Sequence, residues 1–181
     1  MKIAISGNTA GIGRALSEIY QSRGHEIIGI SRRIGFNIRS IPKIVPMITP
    51  CDIFINNAQS GFAQTELLFA VYKEWQGIPN KKIFSISSMM TSEPCSSLPG
   101  LEMTEYYVQK TALEEAIKQL RHFHTWPKLY LIKPGGVATQ PGQQHPRPYA
   151  EVTHWANTLV DLMDTGADLE IAEISLTVNY P

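Results

Sequence analysis

Short apolar runs alternate with stretches whose apolar residues recur at helical spacing along the whole chain. Lys2 to Ile5 reads as a strand. Gly11 to Arg23 reads as a helix with Ile12, Ala15, Leu16 and Ile19 on one face. Gly24 ends it. Glu26 to Ile30 is the next strand, and Phe36 to Ile38 is read as a short third one. Ile41 to Thr49 carries Pro42 and Pro46, so it holds a brief helix or turn at most. Asp52 to Ile55 has the continuous apolar character of a buried strand. Thr65 to Gln76 follows as a helix with Leu67, Leu68, Val71 and Trp75 on one side. Then come a strand at Lys82 to Ile86, a long helix at Met103 to His122 and a strand at Lys128 to Ile132. A polar, Pro-rich loop at Gln140 to Pro148 precedes a helix at Tyr149 to Met163 and a last strand at Ile174 to Val178. Strands alternating with helices predict an α/β fold, a doubly wound parallel sheet with helices on both faces. Residues 1–181 read as a single three-layer domain, with no internal repeat and no linker.

Composition narrows the function classes. The chain is 43% hydrophobic, and its 16 basic residues balance its 16 acidic ones, so bulk charge attracts neither nucleic acid nor an anionic membrane. No apolar run approaches the roughly 20 residues of a membrane helix. Cys51 and Cys95 have no metal-ligand spacing, and the five histidines show no ligand pattern, so no metal is expected. Two thiols make no disulfide framework, which points to a reducing, cytoplasmic setting.

Two spacings carry chemistry. Ser6-Gly7-Asn8-Thr9-Ala10-Gly11-Ile12-Gly13 lies between a strand and a helix, where backbone N–H groups and the helix dipole favour a phosphate. The glycines are spaced G-x-x-x-G-x-G, and glycine is needed where the chain turns tightly or approaches a ligand. Tyr106 and Lys110 stand four apart on a helix, so their side chains share a face. An ammonium beside a phenol lowers its pKa, which equips Tyr106 to exchange a proton with a carbonyl or alcohol oxygen.

The glycine spacing resembles that of the short-chain dehydrogenases/reductases, and further motifs of that family follow in its order. Asn56-Asn57-Ala58 follows the strand at Asp52, Ile86-Ser87-Ser88 ends the strand at Lys82, Tyr106-x-x-x-Lys110 runs into Thr111-Ala112-Leu113, and Pro134-Gly135-Gly136-Val137-Ala138-Thr139 follows the strand at Lys128. The resemblance covers nearly the whole chain. It implies a Rossmann-type fold, a nicotinamide cofactor and Ser88, Tyr106 and Lys110 as catalytic residues. Ser88 would hold the substrate oxygen and Lys110 the nicotinamide ribose. It places Gly7, Asn8, Thr9, Gly11, Ile12 and Gly13 along the cofactor, with Asn57, Ala58, Pro134, Gly135, Val137 and Thr139 further on. A plain turn at Asn57 and a plain polar loop at Thr139 are the alternatives.

After the second strand, Ser31, Arg32 and Arg33 stand where an acidic residue would select NAD(H). Paired guanidinium donors suit the 2′-phosphate of NADP(H) instead, the alternative being two solvated arginines. Asn37 stands where the family has an adenine-binding Asp, and its amide oxygen can accept from the adenine amine.

The chain also departs from the family. Thr65 to Gly77 contains no Asn where the family has its fourth catalytic residue, and Gln59 replaces a Gly after Asn56-Asn57-Ala58. A polar insertion with Pro94 and Pro99 separates Ser88 from Tyr106. Two functions are therefore expected: an NADP(H)-dependent oxidoreductase acting on a small carbonyl or alcohol, or an NADP(H)-binding sensor or interaction module with little turnover. A homodimer is expected through Leu67, Leu68, Val71 and Trp75 of one helix and Leu113, Ala116, Ile117 and Leu120 of the next.

Overall fold

In a computed structural model, residues 1–92, 100–140, 149–164 and 171–178 are described. Cys95, the insertion with Pro94 and Pro99, and nearly all of the loop from Gln140 to Pro148 lie outside them. The elements are β1 (Lys2–Ser6), α1 (Gly11–Ser22), β2 (Glu26–Ile30), α2 (Ile41–Ile48), β3 (Ile53–Asn56), α3 (Ala63–Trp75), β4 (Lys82–Ile86), α4 (Gly100–Leu120), β5 (Lys128–Pro134), β6 (Val137–Ala138), β7 (Ala150–Glu151), α5 (Val152–Met163) and β8 (Glu173–Leu176). Short 3₁₀ turns follow β2 at Arg32–Ile34 and β4 at Met89–Ser92.

Six strands form one sheet in the order β2-β1-β3-β4-β5-β8, and every neighbouring pair is parallel. The alternation of side chains sorts the core. Ala4, Phe54, Ile83, Leu129 and Leu131 face α2, α3 and α4, while Ile3, Ile5, Ile53, Ile55, Phe84 and Ile132 face α1 and α5. The chain reverses direction across the sheet between β1 and β3, so a crevice opens beyond their C-terminal ends.

Three expectations change. No strand forms at Phe36 to Ile38, so β2 is an edge of the sheet. The backbone there is satisfied locally: Phe36 N donates to Ser31 O at 2.9 Å, Asn37 Oδ1 accepts from Arg39 N at 3.0 Å, and Ser40 N donates to Asn37 O at 2.9 Å. The last helix begins at Val152 rather than Tyr149, because the Glu151 carboxylate caps it from Thr153 N and His154 N.

The third concerns the helix faces expected to pair subunits. Leu67, Leu68, Trp75 and Leu113 are fully buried, and Val71, Ala116, Ile117 and Leu120 nearly so, against the sheet and one another. Exposing such a side chain for a partner would cost roughly 1.5–3 kcal/mol each, so these faces belong to the core. Helical periodicity marks a face that will be covered, without distinguishing a sheet from a second subunit.

Candidate active site

The site is built at the crevice from four loops. The first joins β1 to α1. Gly7 has φ +75°, and a Cβ there would lie 2.7 Å from Asn57 Nδ2. A Cβ on Gly13, in the first turn of α1, would lie 2.6 Å from the same nitrogen. Both glycines make room for the Asn57 amide, which donates to Ser6 O at 3.0 Å. The buried Ser6 hydroxyl accepts from Asn57 N at 2.9 Å and Ala58 N at 3.0 Å, stitching the ends of β1 and β3 together. Ala10 precedes α1 and no side chain caps that helix, leaving its first-turn N–H groups for a ligand.

Two cavities run along this edge. One, of about 270 Å³, is lined by Gly7, Thr9, Ser31, Arg32, Arg33, Asn37 and Ala58 among others, with no carboxylate. The Thr9 and Ser31 hydroxyls meet at 2.8 Å on its wall. Arg32 and Arg33 are exposed, and neither pairs with a carboxylate among the described residues. The Asn37 amide oxygen already accepts from Arg39 N, leaving it one lone pair for an adenine. Arg39 Nε donates to the Oγ of Ser60, a residue of the cavity wall, at 2.9 Å.

The other cavity, of about 230 Å³, is lined by Ile12, Asn57, Ser87, Ser88, Tyr106, Lys110, Pro134, Gly135, Val137 and Thr139, with Ile86 and Gln59. Gln59 lines both cavities, and its side-chain amide donates to Gln109 of α4. Ser88, which follows β4, and the Tyr106 and Lys110 pair of α4 thus line one space. Asn8, Gly11 and Gly13 line neither cavity. Asn8 turns its side-chain amide onto Gly29 of β2, and its Oδ1 is buried without a hydrogen-bond partner among the described residues. Gly11 packs against Thr139, and Gly13 packs against the loop.

Lys110 is 3% exposed. Its ammonium donates to Gln64 Oε1 and to Ile86 O, both at 2.8 Å, and lies 5.6 Å from the centre of the Tyr106 ring. Burial pushes its pKa down to about 7, against the opposing pull of the Glu114 carboxylate. The phenol behaves otherwise than the spacing predicts. Burial pushes the Tyr106 pKa up, with the Ser88 hydroxyl, within hydrogen-bonding reach, drawing it back. Desolvation of the phenolate outweighs that help in the protein alone.

Two residues of the site carried no spacing signal. Gln64 is the second residue of α3, buried, one position before the Thr65 to Gly77 stretch that lacks the family's Asn. Its Nε2 donates to Asn56 O at 2.7 Å and Ile86 O at 3.0 Å, which fixes its oxygen toward Lys110. An amide next to an expected helix start is the one clue the sequence offered. Ser6 carries no signal in the sequence, since a serine ending a strand is unremarkable until its neighbours are known.

No family model matches the sequence, and no curated protein matches it. Solved structures do. An alcohol dehydrogenase from the archaeon Thermococcus sibiricus, complexed with 5-hydroxy-NADP, is 13% identical, with 97% of this chain and 95% of that one covered and a TM-score of 0.73. A 3-alpha-hydroxysteroid dehydrogenase from Pseudomonas sp. B-0831, complexed with NADH, is 18% identical, with 97% and 94% covered and a TM-score of 0.73. A short-chain dehydrogenase/reductase from Vibrio parahaemolyticus is 15% identical, with 96% and 98% covered and a TM-score of 0.74. The chain has the fold of the short-chain dehydrogenases/reductases, a Rossmann-type parallel sheet between helices.

Proposed function

We propose that this chain is an oxidoreductase that uses NADP(H), in preference to NAD(H), to reduce a small carbonyl compound or oxidise the corresponding alcohol. The observation that carries this is the convergence of Ser88, Tyr106 and Lys110 on one cavity, in line with the glycine loop. The residues fit a dinucleotide: the uncapped start of α1 suits the pyrophosphate, and the carboxylate-free cavity with Arg32 and Arg33 at its rim suits a 2′-phosphate. Ser31, held by Thr9, and Asn37 would flank the adenosine. Ala58, Asn57, Ile12, Pro134, Gly135, Val137 and Thr139 would line the path to the nicotinamide. When bound, the cofactor supplies or takes up the hydride.

The chain's own groups handle the oxygen and its proton. Ser88 holds the substrate oxygen beside Tyr106, and the Tyr106 hydroxyl gives it a proton during reduction or takes one during oxidation. Lys110, fixed by Gln64 and Ile86 O, offers positive charge beside the phenol and favours its ionised form. The buried free thiol of Cys51 suits a reducing compartment, the cytoplasm. A second reading, dinucleotide binding with little turnover, draws on the raised pKa of Tyr106.

The test is NADPH oxidation against a panel of aldehydes and ketones, with both cofactors titrated by fluorescence. Turnover with NADPH and tighter binding of NADPH than NADH are expected. Arg32→Ala should remove most of that preference, about tenfold or more in affinity for one charge-assisted bond. Equal affinity of the parent protein for both cofactors would overturn the preference, and tight binding without turnover would favour the second reading.

A further inference from the structure

Behind the site lies a charge pair that the proposed chemistry does not use. Glu114 follows Lys110 by one turn of α4, so Tyr106, Lys110 and Glu114 form a stripe along one helix face. The Glu114 carboxylate pairs with Lys133 of β5 at 3.2 Å, and the two side chains are 9% and 11% exposed. Every other ion pair among the described residues has at least one side chain a third or more exposed.

The remaining partners of Glu114 come from the segment that carries Ser88. Glu114 Oε1 accepts from Ser87 Oγ at 2.5 Å, and Thr91 Oγ1 stands 2.7 Å from it. The same Thr91 hydroxyl is 2.7 Å from Ser88 O, so its single proton is placed between the carboxylate and the backbone of Ser88 and can be given to either. Met90 N donates to Ser88 Oγ at 3.2 Å, closing the turn. One carboxylate therefore ties together the end of β4, the turn after it, β5 and α4.

A buried ion pair is a poor device for stability, since apolar side chains of similar size often do as well. Its use is to fix one arrangement. We propose that the Glu114–Lys133 pair is a positioning element that locks the Ser88 turn onto the helix carrying Tyr106 and Lys110. It fixes Ser88, Tyr106 and the Lys110 ammonium relative to one another, and it rests on the catalytic reading given above for the first two. The groups around Lys110 are Tyr106 and Glu114 on its own helix, the uncharged Gln64 from α3, the Ile86 carbonyl from β4, and Lys133 from β5 behind Glu114. Glu114 is the only carboxylate among these.

The experiment compares the parent with E114L/K133L, Thr91→Val, Glu114→Gln and Ser88→Ala. The readouts are kcat, NADPH affinity and the titration of Lys110, followed by NMR of ¹³C-labelled lysine and assigned with Lys110→Met. In the double variant kcat should fall about 10²-fold, the usual effect of a small misplacement, with NADPH affinity unchanged. Thr91→Val, which leaves the ion pair intact, should lower kcat in the same way. Glu114→Gln should move the Lys110 titration to lower pH, because the carboxylate that favours its charge is gone. If the double variant fails to fold, Thr91→Val and Glu114→Gln carry the test. Full kcat in those variants, beside a Ser88→Ala that has lost it, would overturn the proposal. A parent protein without reductase activity would overturn the proposed function instead. The backbone amide signal of Ser88 then decides: it should move in both Thr91→Val and Glu114→Gln, and an unmoved signal in both overturns the positioning role.

Discussion

At Lys110 a positive charge sits almost fully out of water with two fixed acceptors, Gln64 Oε1 and Ile86 O. Its pKa is about 7 in the folded protein against 10.5 for an exposed lysine. Between those values the unfolded chain holds a proton that the folded one has shed, so this residue's contribution to stability rises with pH across that window. Lys110→Met removes the titration and little volume. The melting temperature of the parent should therefore gain on that of Lys110→Met from pH 7 to pH 10, in thermal scans run side by side without cofactor. A constant difference would place the ordinary lysine pKa there. Tyr106→Phe probes the other half of the pair. It should lower carbonyl reduction by about 10²–10⁴ while cofactor titration stays close to the parent's, because in the proposed reaction the phenol oxygen handles the substrate proton. Full activity in Tyr106→Phe would show that another group supplies that proton. The gathering of Ser88, Tyr106 and Lys110 at one cavity was legible because the proposed chemistry needs those residue types at helical and motif spacing. Gln64, Ser6 and Glu114 were not, since each works through bonds to groups remote in the sequence.

At the scale of elements, strands and helices followed the apolar periodicity closely, and β2 and β4 have the limits that the pattern set. The misreadings share a cause. Phe36 to Ile38 has strand-forming residues, but a 3₁₀ turn, Gly35 at φ +89° and the Asn37 side chain satisfy its backbone before any neighbour is reached. The apolar stripes of α3 and α4 were visible, but what covers them depends on the path of the whole chain. The seat of α1 yields a test. Gly13 packs against Asn57 and the backbone of Gly7, so Gly13→Val must push the helix away from the loop. Overpacking of this kind costs roughly 1–3 kcal/mol. Urea unfolding should show a loss in that range, and NADPH affinity should fall because the first-turn N–H groups move with the helix. Unchanged affinity would mean that α1 does not hold the pyrophosphate.

At the scale of the whole molecule, Ser6, Asn57 and Ala58 stitch together the ends of the paired strands β1 and β3, and both cavities open beside that seam. A ligand spanning them binds the folded chain alone. Saturation with NADPH at about a hundred times its Kd should add roughly 2.7 kcal/mol, and at this chain length each kcal/mol raises Tm by about 2–4 °C. Differential scanning fluorimetry should show that rise with NADPH and a smaller one with NADH at equal concentration. No shift with either would remove the dinucleotide from the proposal.

The parallel sheet also has a consequence in time. Among the described strands no pair is joined by a hairpin: Lys2 must find Glu26, Ile3 must find Ile53, and Leu131 must find Glu173. Each pairing requires a long loop to close before the contacts that reward it form. Refolding should therefore be slow for a chain of this size. The proposed dinucleotide cannot hasten it, because the seat proposed for it does not exist until β1 and β3 have met. Added cofactor should slow unfolding in stopped-flow traces and leave the refolding rate where it was.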